Sequence, residues 1–238
     1  DLKSAPFMSV SDSDFGVQVG IGLVGKFLTA AIAFGGSIVL ARALGPGGYG
    51  TFYLMMGVVA LLNNPVSGWA TACRKRITEA DSDSGQIMGL LLLSIPAATL
   101  GVVVLAKVGS LFVGAWSDHW VLLSALFAGM ITFTTAGQVV MATENFGTVS
   151  WMQAVRDIVR VAGQVGLVLA GFGVAGMVGG MVVANLLVSP VVIYLAGERP
   201  KFPNKATCKR VWGFAKSSIP DYLVGTAIDR LDILLLGA

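Results

Sequence analysis

Residues Leu40 to Leu54, LARALGPGGYGTFYL, place a glycine-rich turn between two long apolar runs. The centre of the stretch, Gly45-Pro46-Gly47-Gly48-Tyr49-Gly50, is a formal match to G-x-G-x-x-G. A dinucleotide fingerprint needs a short buried strand before it, a soluble helix after it and an acidic residue about 20 residues on. The preceding run, 17–44, is too long for a strand, and the following run, 51–72, holds neither Asp nor Glu. The motif therefore reads as a tight turn joining two membrane helices. Its glycines allow left-handed or crowded backbone, and Pro46 fixes the bend.

Composition supports that reading. Of 238 residues, 55% are hydrophobic and 12% charged, with a mean hydropathy of +0.80, whereas a soluble domain carries about 25% charged residues. The chain is expected to be all-α and polytopic, because only helices or closed barrels satisfy their backbone groups in lipid. Apolar runs at 17–44, 51–72, 87–106, 120–142, 155–172, 174–195 and 218–238 make about seven transmembrane helices at about 20 residues each. A net charge of +3 says little about nucleic acid, and none is expected as a partner; what matters is where the basic residues fall. Cys73 and Cys208 match no metal or redox spacing and are expected to be free thiols. The chain begins at Asp1 and stops at Ala238 inside an apolar run, so it is expected to be part of a larger protein.

The loops set the orientation. With the N-terminus inside, the inner segments hold Lys3, the Arg74-Lys75-Arg76 cluster, Arg156, Arg160 and the basic residues between Arg199 and Lys216. The outer loops hold only Arg42 and Lys107. This asymmetry puts the N-terminus in the cytoplasm. The hydrophilic stretch 197–217 separates a six-helix lobe, 1–196, from a further helix, 218–238, with Ser218 as its cap and Pro220 in its first turn.

Ionisable groups at membrane depth are the first candidates for function. Lys26 shares a face with Gln18 and Gly22 in the first run, and either faces a cavity or snorkels to the inner surface. Asn63-Asn64-Pro65 marks either an interrupted helix lining a cavity or a packing kink. Thr132, Thr134, Thr135 and Gln138, with Asn185, Ser189 and Pro190, fit interhelical hydrogen bonding. In the fifth run Gln153, Arg156, Asp157, Arg160 and Gln164 recur three and four apart on one face, with Arg160 a turn inside the membrane. Two arginines there suit a diphosphate, which guanidinium grips bidentately; the competing reading is an interface anchor partly neutralised by Asp157. In the last run Asp229, Arg230 and Asp232 fall near mid-membrane, as an ion-coupling group or a structural salt bridge. His119 stands beside Asp118 with no second ligand, and no hydrolase, zinc-protease or Walker pattern occurs. An enzyme is not expected, nor a metal or other cofactor.

LARALGPGGYGTFYL, then QAVRDIVRVAGQVGLVLAGFGVAGMVGGMVVANLL, then SSIPDYLVGTAIDRLDILLLG together resemble the polysaccharide branch of the multidrug/oligosaccharidyl-lipid/polysaccharide flippase superfamily. The likeness is closest to prokaryotic O-antigen or S-layer glycan flippases. It implies a fold of two six-helix lobes around a cavity that opens alternately to each side of the cell membrane. Read so, this chain is the N-terminal lobe, the inner linker and the first helix of the second lobe. The resemblance also implies a lipid-linked glycan substrate among membrane lipids, and a proton or sodium ion as coupling partner. It makes Lys26, Arg42, Arg156 and Arg160, with Gln164 on the same stripe, candidates for the diphosphate, and Asp229, Arg230 and Asp232 for ion coupling. Rival readings are a multidrug/cation antiporter of the same superfamily, a seven-helix retinal-type pump, and an intramembrane glycosyl- or acyltransferase. The pump would need a lysine midway along the seventh helix and an acid in the third, and neither is present in the expected spans.

Overall fold

The computed structural model describes residues 12–79, 83–112, 119–142, 146–195 and 199–229. Every regular element among them is helical: α1 (Asp12–Ile77), α2 (Ser84–Phe112), α3 (Trp120–Ala142), α4 (Phe146–Leu167), α5 (Gly173–Leu195) and α6 (Lys205–Asp229), with a π-helical turn, Val168–Phe172, between α4 and α5. Among the described residues, four stretches are long and apolar enough to cross a membrane: Thr29–Ile77, Ser84–Leu111, Trp120–Ala142 and Trp151–Tyr194.

The first and last of these are hairpins. α1 breaks at Gly45, whose φ of 67° is the left-handed backbone that glycine alone adopts freely. Pro46 then restarts the helix, where its fixed φ and missing N–H cost nothing. The turn expected over Gly45–Gly50 is thus a single residue, because Gly47, Gly48 and Gly50 are already helical. Side chains show the two arms lying together. The Tyr49 hydroxyl on the second arm interacts with Ser37 on the first. On α4, Val161 touches Gly36 of the first arm, while its neighbour Arg160 interacts with Tyr53 of the second.

The second hairpin turns at Gly171 and Gly173, both at positive φ (92° and 55°). Its helices meet through small residues, the usual route to close backbone contact in membranes. A Cβ at Gly163 would lie 3.3 Å from the Gly180 Cα, and one at Gly180 would collide with the Gln164 backbone. Gln164 Nε2 donates to the Met177 carbonyl at 3.0 Å. The two hairpin turns are neighbours, since a Cβ at Gly48 would lie 3.5 Å from Val174 Cγ2. The first arm of α1 and α4 therefore run the same way, toward a common end of the bundle.

Between the hairpins, the second arm of α1, α3 and α5 share a core that includes Met55, Val59, Leu126, Phe127, Ile131 and Val178. Asn63-Asn64-Pro65 lies in this arm without interrupting it: Gly45 is the break in α1, and the chain stays helical through Pro65. Asn63 Nδ2 instead reaches Thr134 Oγ1 of α3 and Ser67 Oγ, each at 3.4 Å. The helix is neither interrupted nor broken here, and Asn63 Oδ1 and Asn64 Nδ2 stay buried without a hydrogen-bond partner.

α6 begins at Lys205 and not near 218, so Ser218 and Pro220 are interior to it. Charge made 205–217 look like linker, but Val211 and Ala215 on one face are fully buried with Ala70, Ala72 and Cys73 of α1. Trp212 meets Trp69 at 6.3 Å, and Lys75 Nζ rests 4.0 Å from the centre of the Phe214 ring. Asn204 is the true cap, its Oδ1 accepting the Thr207 N–H at 2.7 Å. Asp83 caps α2 in the same way, accepting from the Gln86 N–H (3.3 Å) and side-chain amide (3.1 Å). Gln86 Oε1 joins the two caps by accepting from the Asn204 N–H at 3.1 Å and the Thr207 hydroxyl at 2.9 Å. Residues 199–204 are thereby strapped across the start of α2, with the Lys201 N–H on the Gly85 carbonyl at 2.8 Å.

Candidate functional site

α4 is amphipathic, and its polar stripe is where charge enters the bundle. Because α4 starts at Phe146, Arg160 lies about 21 Å along the axis from that end and about 16 Å from the turn at Gly171. It is level with Gly36 and Tyr53. This is near the middle of the helical hairpin arm, whose apolar, membrane-length stretch begins at Trp151.

Three side chains form the centre of the site. Asp157 Oδ1 accepts from both terminal and ε nitrogens of Arg156, the Nε contact being 3.1 Å. It also pairs with Arg160 Nη2 at 3.4 Å. The three side chains are 21–26% exposed, so they are partly desolvated yet reachable. Arg156 stacks on Phe133 of α3, with 4.2 Å from guanidinium carbon to ring centre, which fixes the plane of its fork. Arg160 Nε is buried and has no hydrogen-bond partner. Two guanidiniums share one carboxylate, leaving a net positive charge with an unused donor.

Tyr53, on the facing arm of α1, lies within electrostatic range of Arg160. Its side chain is half exposed, and its hydroxyl receives a 3.1 Å hydrogen bond from Tyr49. The sequence reading did not single out either tyrosine. The available signal was their i, i+4 spacing within the opening glycine-rich stretch, which puts two hydroxyls on one helix face.

The other candidates are distributed differently. Gln164 is buried and its amide is committed to the Met177 carbonyl, so it fastens the α4–α5 hairpin. Lys26 is exposed on the first arm, about 15 Å from the Gly36 level on the side away from Gly45. Arg42 is exposed about 9 Å to the other side, and the helical twist turns it about 120° from Gly36, the residue that meets α4. Arg42 thus shares neither the level nor the face of the α4 arginines. Asp229 ends α6 with its side chain outside the described residues, as are Arg230 and Asp232.

Chemically, the cluster can take a doubly charged oxyanion. A phosphate can replace Asp157 at one fork and use the free Arg160 Nε, and a second phosphate can occupy the other fork. Among the described residues no group of three His, Cys, Asp or Glu side chains is placed to hold a metal ion. Cys73 and Cys208 are free.

No curated protein and no solved structure matches the chain. A family model described as polysaccharide biosynthesis protein does, over residues 39–238. That span takes in the Gly45 turn, both tyrosines and the arginine stripe. A helical bundle with membrane-length hairpins and a match over most of its length together place the chain in the polysaccharide biosynthesis protein family.

Proposed function

We propose that the chain is the N-terminal part of a flippase that carries a polyprenyl-diphosphate-linked glycan from the cytoplasmic to the outer leaflet of the cell membrane by alternating access. In this reading each arm of the two hairpins crosses once, which with α2 and α3 gives a six-crossing lobe. The strapped segment 199–204 and α6 then lead into a second lobe. The N-terminus is cytoplasmic, and the Gly45 and Gly171 turns face outward. The protein transports and does not catalyse, and Asp229, Arg230 and Asp232 serve the coupling ion.

The observation that carries this reading is the Arg156–Asp157–Arg160 cluster within the membrane-length stretch Trp151–Tyr194, with an unsatisfied Arg160 Nε. An uncompensated cation there is costly, and such groups mark substrate or ion paths. Asp157 has a specific use in a carrier. A transported anion must bind well enough to enter and weakly enough to leave, and a resident carboxylate competing for the same forks sets that balance.

The test is export of glycan by the full-length protein carrying Arg156→Gln, Arg160→Gln or both. Each single change is expected to weaken binding of a soluble pyrophosphate probe about ten- to a hundredfold, the worth of a charge-assisted hydrogen bond. The double change should stop export at normal membrane abundance. Undiminished export by the double variant would remove the diphosphate assignment.

A further inference from the structure

Away from the arginine cluster, a cavity of about 280 Å³ opens between α1, α2 and α3. Its walls are apolar: Val58 and Leu62 from α1, Leu105 and Gly109 from α2, Trp120 and Leu123 from α3. The one hydroxyl in the lining, Ser110 Oγ, donates to the Lys107 carbonyl of its own helix at 2.7 Å and offers no recognition. Lys107 stands at the rim, exposed, with its ammonium 4.9 Å from the centre of the Trp120 ring.

We propose that this cleft is a binding site for one resident membrane phospholipid, with a segment of acyl chain in the cleft and the headgroup phosphodiester on Lys107. Two properties argue for that occupant. The cleft's walls offer a headgroup no polar partner, so it suits a segment of acyl chain and no headgroup. It adjoins the face of α2 that exposes Leu100, Val104, Val108 and Leu111, a face whose natural solvent is acyl chain. Charge is complementary at one point only. Lys107 closes the last turns of α2 and Trp120 opens α3, which puts an ammonium and an indole together at interface depth, where phosphates lie. The glycan carrier is the weaker candidate, because a single lysine offers one charge to a diphosphate whereas α4 offers two forks.

Gly109 supplies the means of testing the site, since a Cβ there would meet nothing within 4 Å. Gly109→Ala should fold and keep the lipid, and Gly109→Phe should fill the cleft. The measurement is native mass spectrometry of the full-length protein equilibrated with phosphatidylglycerol or with a galactosyl diacylglycerol that lacks phosphate. The wild type and Gly109→Ala are expected to retain one phosphatidylglycerol that Gly109→Phe loses. Lys107→Gln should weaken its retention about fivefold, the worth of one basic residue at an anionic membrane surface, and erase the preference over the galactolipid. A second measurement needs no variant: phosphatidylglycerol with a photoactivatable acyl chain should label residues 105–110 and 120–123. Equal retention by Gly109→Phe, no headgroup preference in the wild type, labelling elsewhere, or displacement by a polyprenyl phosphate at equal concentration would each overturn the proposal.

Discussion

Asp157 is the residue on which the site turns, because one oxygen serves two arginines a helical turn apart. Changing it to Asn has opposite effects on two observables. Both ion pairs are lost and two guanidiniums are left facing each other in a partly dry setting, so stability should fall by about 1.5–3 kcal/mol, the range for hydrogen bonds to charged groups. The same change frees both forks, so a soluble pyrophosphate probe should bind more tightly to Asp157→Asn than to the wild type. Thermal unfolding in detergent and probe titration measure the two effects separately. A variant that loses stability without gaining affinity would make Asp157 a structural counter-ion and nothing more. Phe133 and Tyr53 differ in kind from Asp157, since they orient or flank the guanidiniums without neutralising them.

Among the elements, the α4–α5 hairpin and the start of α6 depend on close backbone approach in ways that substitutions can separate. Gly180→Ala drives a methyl group into the backbone of Gly163 and Gln164, whereas Gly166→Ala in the same hairpin meets open space. The first should destabilise by about 1–3 kcal/mol, as overpacking does, and pull Gln164 off the Met177 carbonyl. The second should be neutral or stabilising by up to about 1 kcal/mol from helix propensity, and equal effects would contradict the packing described. At the start of α6, Gln86→Ala removes the shared acceptor of Asn204 and Thr207, and Gly89→Ala collides with the Lys201 carbonyl. Either should release residues 199–204 from α2, read as faster hydrogen exchange there. A second tie joins α1 to α6 through Glu79, which pairs with Arg76 at 2.7 Å and Arg210 at 3.2 Å. The hydrogen bond from Arg76 holds the Glu79 carboxyl below its ordinary value; the charges of Arg76, Arg210 and Lys75 add to this and desolvation opposes it. A carboxyl depressed in the folded state contributes stability above its unfolded pKa of about 4.3 and loses it as pH falls through the lower folded value. Hydrogen exchange at the end of α1 and the start of α6 should therefore quicken modestly as pH falls through that lower value, while the buried apolar contacts keep the two helices together. Glu79→Gln should abolish that pH dependence, and an unchanged profile in the variant would assign the transition to another group.

At the scale of the whole molecule, apolar run length and glycine placement made most of the bundle readable in advance. Trp120–Ala142 was legible to the residue because polar residues flank it on both sides, and the hairpin turns were legible from Gly45-Pro46 and Gly171-Phe172-Gly173. Two kinds of fact were not. Residues 146–154 and 205–217 mix polar and apolar side chains, so hydropathy started α4 and α6 too late. The placement of Arg160 against the α1 hairpin depends on the register between them, which the Gly36–Val161 contact fixes and no single-helix periodicity encodes. Register also makes orientation testable. The Gly45 and Gly171 turns lie side by side at one end, through Gly48 and Val174. Arg74, Lys75, Arg76, Lys201 and Arg210 gather at the other, where Lys201 meets Asp83 at 3.5 Å and Arg210 meets Glu79. If the chain follows the rule that basic loops stay inside, the two ends face opposite aqueous compartments. Gly47 and Thr78 are both exposed, one at each end, and a Cβ at Gly47 meets no neighbour. In a Cys73→Ala, Cys208→Ser background, a membrane-impermeant maleimide applied to intact cells should label Gly47→Cys at once and Thr78→Cys only after permeabilisation. The reverse pattern would invert the molecule and turn the arginine cluster's approach path toward the outer leaflet. Labelling of both sites in intact cells would mean that the two ends do not lie on opposite sides of a membrane.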